Sequence, residues 1–372
     1  PEARRRSGRE TGLELAAVPF AELWTPLVEA ALAEASAGID AATVPRRDLA
    51  TLAEGLATEI AAAGSRAAHE RYLRFRGLGE GDDAPGAYRR YVDSELASGL
   101  LELAVELPVA LRQIARLVDT WIAALVELAQ RIVRDRNALA DRFAAGRDPG
   151  PVVAVTQPRS DRHHGGRGIF RVRFADRTDL VVKPRSLAIE VAWERLLSRL
   201  AARGFEELPP AAPALDFATH GWMEWIEAEE LADEAAAEAW FRRAGALVAL
   251  AELLGAEDLH AENLVAGRGG PVVVDAEMMA QPDRPGVDAR QRFAGGLLRA
   301  GGAGGGKGGA GGRIANWAGL HPVEPRAVTA QALGWRDPGG DDIAPVAGEI
   351  FTSPLPNAPT LSGGSSGAGR QL

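Results

Sequence analysis

The stretch EDLHAENLVAGRGGPVVVDAEMM, Glu257 to Met279, carries residue types at a spacing that suits phosphoryl transfer. Such a reaction asks little covalent chemistry of a protein. It needs phosphates held in place, their charge neutralised and an acceptor hydroxyl oriented. Asp258 can accept the hydroxyl proton. Asn263, five positions on, can turn its amide toward a metal, and protein kinases use the same Asp-to-Asn spacing in their catalytic loop. Asp275 ends a β-branched run that would present its carboxylate to magnesium. His260 lies between them and either steadies the Asp258 loop, holds charge or serves as a structural histidine. Any one aspartate is commonly a turn or helix cap. The three together, behind a strand-borne lysine, point to chemistry.

That lysine is Lys183 in VVKPRS, placed to reach nucleotide phosphates; its bland alternative is a strand-end lysine reaching into solvent. Glu190 or Glu194, on the helix that follows, could pair with it. Upstream, SDRHHGGRGIF sets Gly165, Gly166 and Gly168 before a strand, where backbone amides can cover phosphates, although hairpin turns call for glycine too. Asp161, His163, His164 and Arg167 share this stretch. Adjacent histidines on a strand face opposite ways, so no zinc is expected here.

The elements that must position these residues follow from periodicity. Residues 1–147 read as a helical N-terminal domain, with Leu111, Ile114, Leu117, Trp121, Leu125, Leu128 and Ile132 at helical spacing. Pro108 either separates two helices or sits in a first turn, and residues 76–86 form a loop. From GRDPGPVVAV the texture turns to β. GIFRVRFADRTDLVVK predicts a hairpin with Phe170, Val172 and Phe174 on one side, Arg171 and Arg173 on the other, and ADRTD as the turn. Ser186 can cap the next helix, which Gly204 ends. HGWMEWIEA predicts a strand, and DEAAAEAWFRRAGALVALAELLG an amphipathic helix ending at Gly255. This is the element order of a kinase-like fold, with a hinge near Ile226 to Glu230. The expected organisation is therefore a small lobe over 148–228, a large lobe with the catalytic loop over 229–299, and a glycine-rich linker with an incomplete C-terminal part over 300–372. The run from Ala300 contains Gly301, Gly306 and Lys307 at P-loop spacing. Gly308 stands where the magnesium-holding hydroxyl belongs, and the composition is that of a flexible linker.

With 372 residues, 46% hydrophobic and 25% charged, the chain has the make-up of a globular protein of two or three domains. A formal charge of −9 argues against nucleic-acid binding, and the Arg4–Arg5–Arg6 run reads as a solvated tail. No apolar run is long enough for a bilayer, and PEARRRSGRE is no signal peptide. The chain begins without Met, as a fragment would. The absence of cysteine fits a cytoplasmic location.

Taken together, SDRHHGGRGIFRVRFADRTDLVVKPRSLAIEVAWERLL, THGWMEWIEA, RRAGALVALAELLGAEDLHAENLVA and PVVVDAEMM resemble the dehydratase domain of class II (LanM-type) lanthipeptide synthetases. The resemblance covers roughly Leu13 to Gly363 and is thinnest after Gln281. It implies an α+β class: a lipid-kinase-like, two-lobed core behind an all-helical N-terminal domain. It also implies ATP and Mg2+ as cofactors, phosphorylation of Ser and Thr in a precursor (leader-core) peptide, and elimination of the phosphate to dehydroamino acids. Lys183, Asp258, His260, Asn263 and Asp275 match the family's phosphorylation residues, and Asp161 and His163 its glycine-containing motif. The later half departs from the pattern. Ala294 and Gly295 stand where the family has Arg-Thr. Gly339, Gly340 and Asp341 replace an Asn-Thr-Asp run, leaving Arg336 as the nearest arginine. An impaired elimination step is expected. A zinc-dependent lanthionine cyclase domain would follow in a longer protein, because this chain has no cysteine to hold such a zinc. A small-molecule phosphotransferase and a degenerate, kinase-like peptide-binding module are the alternative readings.

Overall fold

A computed structural model of the chain describes residues 15, 17–77, 85–158, 166–267, 269–281, 297, 320, 327–351, 357–361 and 370–371, with backbone alone for 327–333, 347–351 and 370–371. The chain divides into two compact units, Pro1–Asp179 with Gln331–Gly348, and Leu180–Ala330 with Glu349–Leu372.

The first unit is built on helices α1 (Ala21–Gly38), α2 (Arg46–Gly77), α3 (Ala87–Ala97), α4 (Leu101–Glu106) and α5 (Pro108–Phe143). Along α2 the buried positions Leu49, Leu52, Ala53, Leu56, Ile60, Ala61, Ala68 and Tyr72 follow the helical repeat, giving one continuous apolar face. Helix α5 buries Ile114, Trp121, Leu125, Leu128 and Ile132 and leaves Leu111 and Leu117 half-buried. Pro108 fills both roles foreseen for it: α4 ends before it, and it occupies the first turn of α5, where a missing N–H costs nothing. Gly64 allows a close crossing, since a Cβ there would lie 2.8 Å from Trp24 and 2.9 Å from Ile114.

Rings of Phe20, Tyr72, Tyr88, Tyr91 and Trp335 gather in this unit; Phe20 lies 5.7 Å from Tyr88 and 6.0 Å from Trp335, centroid to centroid. Trp335 belongs to strand β8 (Ala327–Arg336), which pairs with β9 (Ala344–Phe351). The turn between them supplies Asp341, whose carboxylate accepts the N–H groups of Gly86 and Tyr88 at 2.6 and 2.8 Å. Those are orphan donors of the first turn of α3, so the motif that departs from the family pattern works here as a remote helix cap.

Strand β1 (Val152–Thr156) pairs antiparallel with β2 (Phe170–Phe174). Phe170, Val172 and Phe174 are buried while Arg171 and Arg173 are not, the alternation expected of a half-buried strand. The turn after β2 closes with the Phe174 N–H on the Thr178 carbonyl at 2.8 Å, and Arg171 grips Asp179 with two hydrogen bonds. Gly166 has φ +95°, and a Cβ on Gly168 would stand 2.6 Å from the Gln157 amide. Both glycines meet local backbone demands.

The second unit begins within β3 (Asp179–Lys183), which pairs antiparallel with β5 (Gly221–Glu224); β5 also pairs with β4 (Ala214–Asp216). Helix α6 (Ala188–Ala201) and helix α7 (Glu234–Leu254) follow β3 and β5. Trp193 and Leu197 of α6 and Leu247 and Ala251 of α7 share a core with Leu259, Leu264, Val273, Ala276 and Met279. Asp233 caps α7 by accepting the Ala236 N–H, and Gly255 ends it at φ +63°, as its sequence predicts. Ser186, the expected cap of α6, lies one position before the observed cap, Leu187, and accepts the Ala188 N–H at 3.2 Å. After Gly255 comes a polar loop, a single 3₁₀ turn (Ala261–Asn263), and a hairpin of β6 (Leu264–Gly267) and β7 (Gly270–Val273). The sequence reading had one strand here. The short LVAG segment is a second one, turned back on itself at Gly270, φ +138°. Short strands β10 (Thr360–Leu361) and β11 (Arg370–Gln371) also pair.

Candidate active site

Lys183 is the last residue of β3 and stands opposite Gly221 of β5. A side chain at Gly221 would put its Cβ 2.4 Å from Leu187, so this glycine lets the chain after Lys183 fold tightly over the strand. Asp216 secures that turn, accepting from the Ser186 hydroxyl at 2.9 Å and the Leu187 N–H at 2.8 Å. The Lys183 side chain is 8% exposed, which excludes the solvent-facing alternative. Its Nζ donates to the Val274 carbonyl at 2.7 Å and to Asp275 Oδ2 at 2.9 Å.

Asp275 follows β7 by two residues, and the hairpin register decides its surroundings. Leu264 faces Val273, and the next step of the ladder is the Val274 N–H on the Asn263 carbonyl at 2.9 Å. The metal-type aspartate and the Asn263 loop are therefore held at one end of the same hairpin. In the loop, the Asn263 amide nitrogen donates to the Asp258 carbonyl at 2.7 Å. That leaves the amide oxygen as the atom Asn263 can offer elsewhere. His260 Nδ1 accepts the Glu262 N–H at 3.2 Å, while Nε2 stands 3.4 Å from Asp258 Oδ1 and 3.5 Å from the Asn263 amide nitrogen. Asp258 itself is half-exposed at 50% and has φ +60°, a left-handed conformation that aspartate and asparagine tolerate better than most residues. Strained backbone of this kind gathers at functional sites.

Arg185 is the residue the sequence reading did not single out. Its side chain, 8% exposed, donates to Asp275 Oδ1 at 2.5 Å and to both Glu190 oxygens at 2.7 and 3.3 Å, with Glu277 at 3.2 Å. Glu190 thus does pair with a cation of this segment, but with Arg185 rather than with Lys183. Lys183 turns to Asp275, and the longer planar fork of Arg185 spans to the helix. Glu194 accepts the Ala214 N–H instead. The run KPRS was visible in the sequence, yet Arg185 precedes its helix, so no helical spacing linked it to Glu190.

Electrostatics follow from this crowding. Burial disfavours the Asp275 carboxylate, but Lys183 and then Arg185 outweigh it and hold its pKa below the ordinary carboxylate range. Burial likewise opposes the Arg185 charge; its hydrogen bond and attraction to Glu190 prevail and raise its pKa. The oxygens of Asp275 and the amide oxygen of Asn263 are hard donors of the sort magnesium takes, and magnesium usually draws only one or two carboxylates from a protein. Among the described residues no cluster of three or more histidine and carboxylate side chains forms a metal cage. No described helix is long and apolar enough to cross a membrane.

The structure therefore brings Lys183, Asp258, His260, Asn263 and Asp275 into one hydrogen-bonded system and adds Arg185, Glu190 and Glu277. Gly166 and Gly168 belong to the first unit. Asp161, His163 and Gly165 lie outside the described residues, as do Ala294, Gly295 and the glycine run from Ala300.

Residues 107–368 match the family described as "Domain of unknown function (DUF4135)", and the chain belongs to that family. It is also similar to the Lacticin 481/lactococcin biosynthesis protein LcnDR2 of Lactococcus lactis subsp. lactis, 20% identical over 208 residues. That match covers 53% of this chain and 22% of the relative, so the chain spans well under half of the relative's length.

Proposed function

We propose that this chain is the dehydratase part of a lanthipeptide synthetase, built on a kinase-like fold and phosphorylating Ser and Thr of a precursor peptide. One observation carries the reading: the buried Lys183–Asp275 pair is tied through Val274 and Asn263 to the loop bearing Asp258. The similarity to a protein named for lacticin 481 and lactococcin biosynthesis supports the pathway and the peptide substrate.

When bound, ATP supplies the phosphoryl group and Mg2+ the charge that neutralises it. Asp258 takes the proton of the peptide hydroxyl as the base, and its half-exposed position leaves it open to a peptide. His260, with Nε2 3.4 Å from that carboxylate, is placed to steady it. Asn263 and Asp275 are the residues that would hold the metal, and Lys183 the cation that would meet phosphate. Gly339 and Gly340 offer no hydroxyl where the resemblance puts a threonine, and Asp341 beside them is engaged in capping α3, so the elimination residues of the pattern are not matched. Elimination is then the weaker half-reaction, and phosphopeptide accumulates. Lanthionine ring closure belongs to a cyclase outside this chain.

The test is mass spectrometry of a Ser/Thr-rich lanthipeptide precursor peptide after incubation with the chain, ATP and Mg2+. A phosphate adduct is expected. A peptide that gains no phosphate and loses no water refutes the reading. Loss of water with no adduct at early times refutes the slow elimination.

A further inference from the structure

Asp275 already has two cations, and they differ in how firmly they are held. Lys183 is a single point charge on a flexible stem, and its other Nζ hydrogen bond is to the Val274 carbonyl. Arg185 is clamped between carboxylates, with Glu190 on two nitrogens and Glu277 beside Nε. Glu190 is 3% exposed and also accepts the Ala276 N–H at 3.4 Å, which ties helix α6 to the backbone right after Asp275. Arg185, Glu190 and the Asp275–Ala276 backbone therefore form a closed ring that does not depend on Lys183.

Resting on the phosphotransfer reading above, we infer that Arg185 is the positioning residue of the metal site. It holds Asp275 Oδ1 and leaves Oδ2, the oxygen now on Lys183, as the one a divalent cation can take. Two consequences follow from charge alone. Arg185 fixes the direction in which Asp275 presents its free oxygen. It also pairs with the carboxylate that would hold the metal and so weakens the pull of Asp275 on a bare divalent cation, which then enters best with nucleotide phosphates that bring their own negative charge. The residue would thus favour metal–nucleotide over metal. Helix α6 serves as its brace through Glu190, while Lys183 stays on Asp275 Oδ2 and the Val274 carbonyl.

The experiment measures Mn2+ binding to the full chain by electron paramagnetic resonance, with and without ADP, for the parent, Arg185→Gln and Arg185→Lys. Arg185→Gln should bind Mn2+ alone roughly tenfold more tightly, because a like charge beside the ligand is gone. Its preference for Mn2+ with ADP over Mn2+ alone should shrink by the same factor. Arg185→Lys, which keeps the charge, should stay near the parent. A role confined to holding helix α6 would weaken metal binding or leave it alone, so unchanged or weaker Mn2+ affinity in Arg185→Gln overturns the inference. Should Arg185→Gln fail to fold because Glu190 is left buried and unpaired, the double variant Arg185→Gln/Glu190→Gln is compared with Glu190→Gln alone, and the same tightening is expected of the double variant relative to that single. A parent that binds no Mn2+ even with ADP overturns the phosphotransfer reading together with this inference. A parent that binds, with an Arg185→Gln variant that binds no tighter, overturns this inference alone.

Discussion

Breaking the Lys183–Asp275 pair should cost stability in an asymmetric, non-additive way. The two charged atoms are 2.9 Å apart, and the side chains are 8% and 21% exposed. Unit charges at about 4 Å attract by roughly 4 kcal/mol at an effective dielectric near 20, and desolvation takes back a large part of that. A coupling of about 1–3 kcal/mol is the net expectation. The singles should differ, because their leftovers differ. Lys183→Met leaves Asp275 still paired with Arg185, whereas Asp275→Asn leaves Lys183 with the Val274 carbonyl and an amide. Asp275→Asn should therefore cost about 3 kcal/mol and Lys183→Met about 2, both within the stability of a typical domain. The assay is urea denaturation of the parent, both singles and the double variant at neutral pH. The folded pKa of Asp275 is depressed, so its contribution is fully present above the unfolded value of about 3.9 and is lost as pH falls through the folded value. The coupling should thus hold steady from neutral pH down to that point and vanish below it. Single effects that sum to the double within about 0.5 kcal/mol would show that the pair is not an energetic unit.

Three further variants test two other features. Asp258→Asn keeps a residue that tolerates φ +60° and should leave the unfolding free energy within about 0.5 kcal/mol of the parent while slowing phosphate transfer by on the order of a hundredfold or more. Asp258→Val should lose transfer and also cost about 1–2 kcal/mol of stability, and transfer at the parent rate in either variant would remove Asp258 from the mechanism. Asp341→Ala deprives the Gly86 and Tyr88 N–H groups of their acceptor and should cost about 1–2 kcal/mol in denaturant titration; no change would mean that water replaces the cap.

The local elements were readable in the chain itself, because periodicity and end signals are local properties. The apolar repeat along 114–132, the alternation of Phe170, Val172 and Phe174 with arginines, and the Asp233 and Gly255 ends of α7 all arise from residues within a few positions of one another. So did the residue types of the candidate site, since an aspartate, an asparagine and a second aspartate at that spacing can be read without knowing where they point.

What only the tertiary structure decided was which charge meets which. Lys183 and Asp275 are 92 positions apart, and nothing in either neighbourhood states that they touch. Their meeting depends on the register of β3 on β5, on a glycine opposite the lysine, and on a hairpin whose first strand is too short to announce itself in sequence. The same holds for Arg185, whose partners come from a helix and from the segment after β7, and for Asp341, which caps a helix more than 250 positions upstream. Backbone preference acts over a turn or two and is written in adjacent residues. Ion pairing inside a protein is settled by which buried charges the packing leaves within reach, and that is a property of the folded whole.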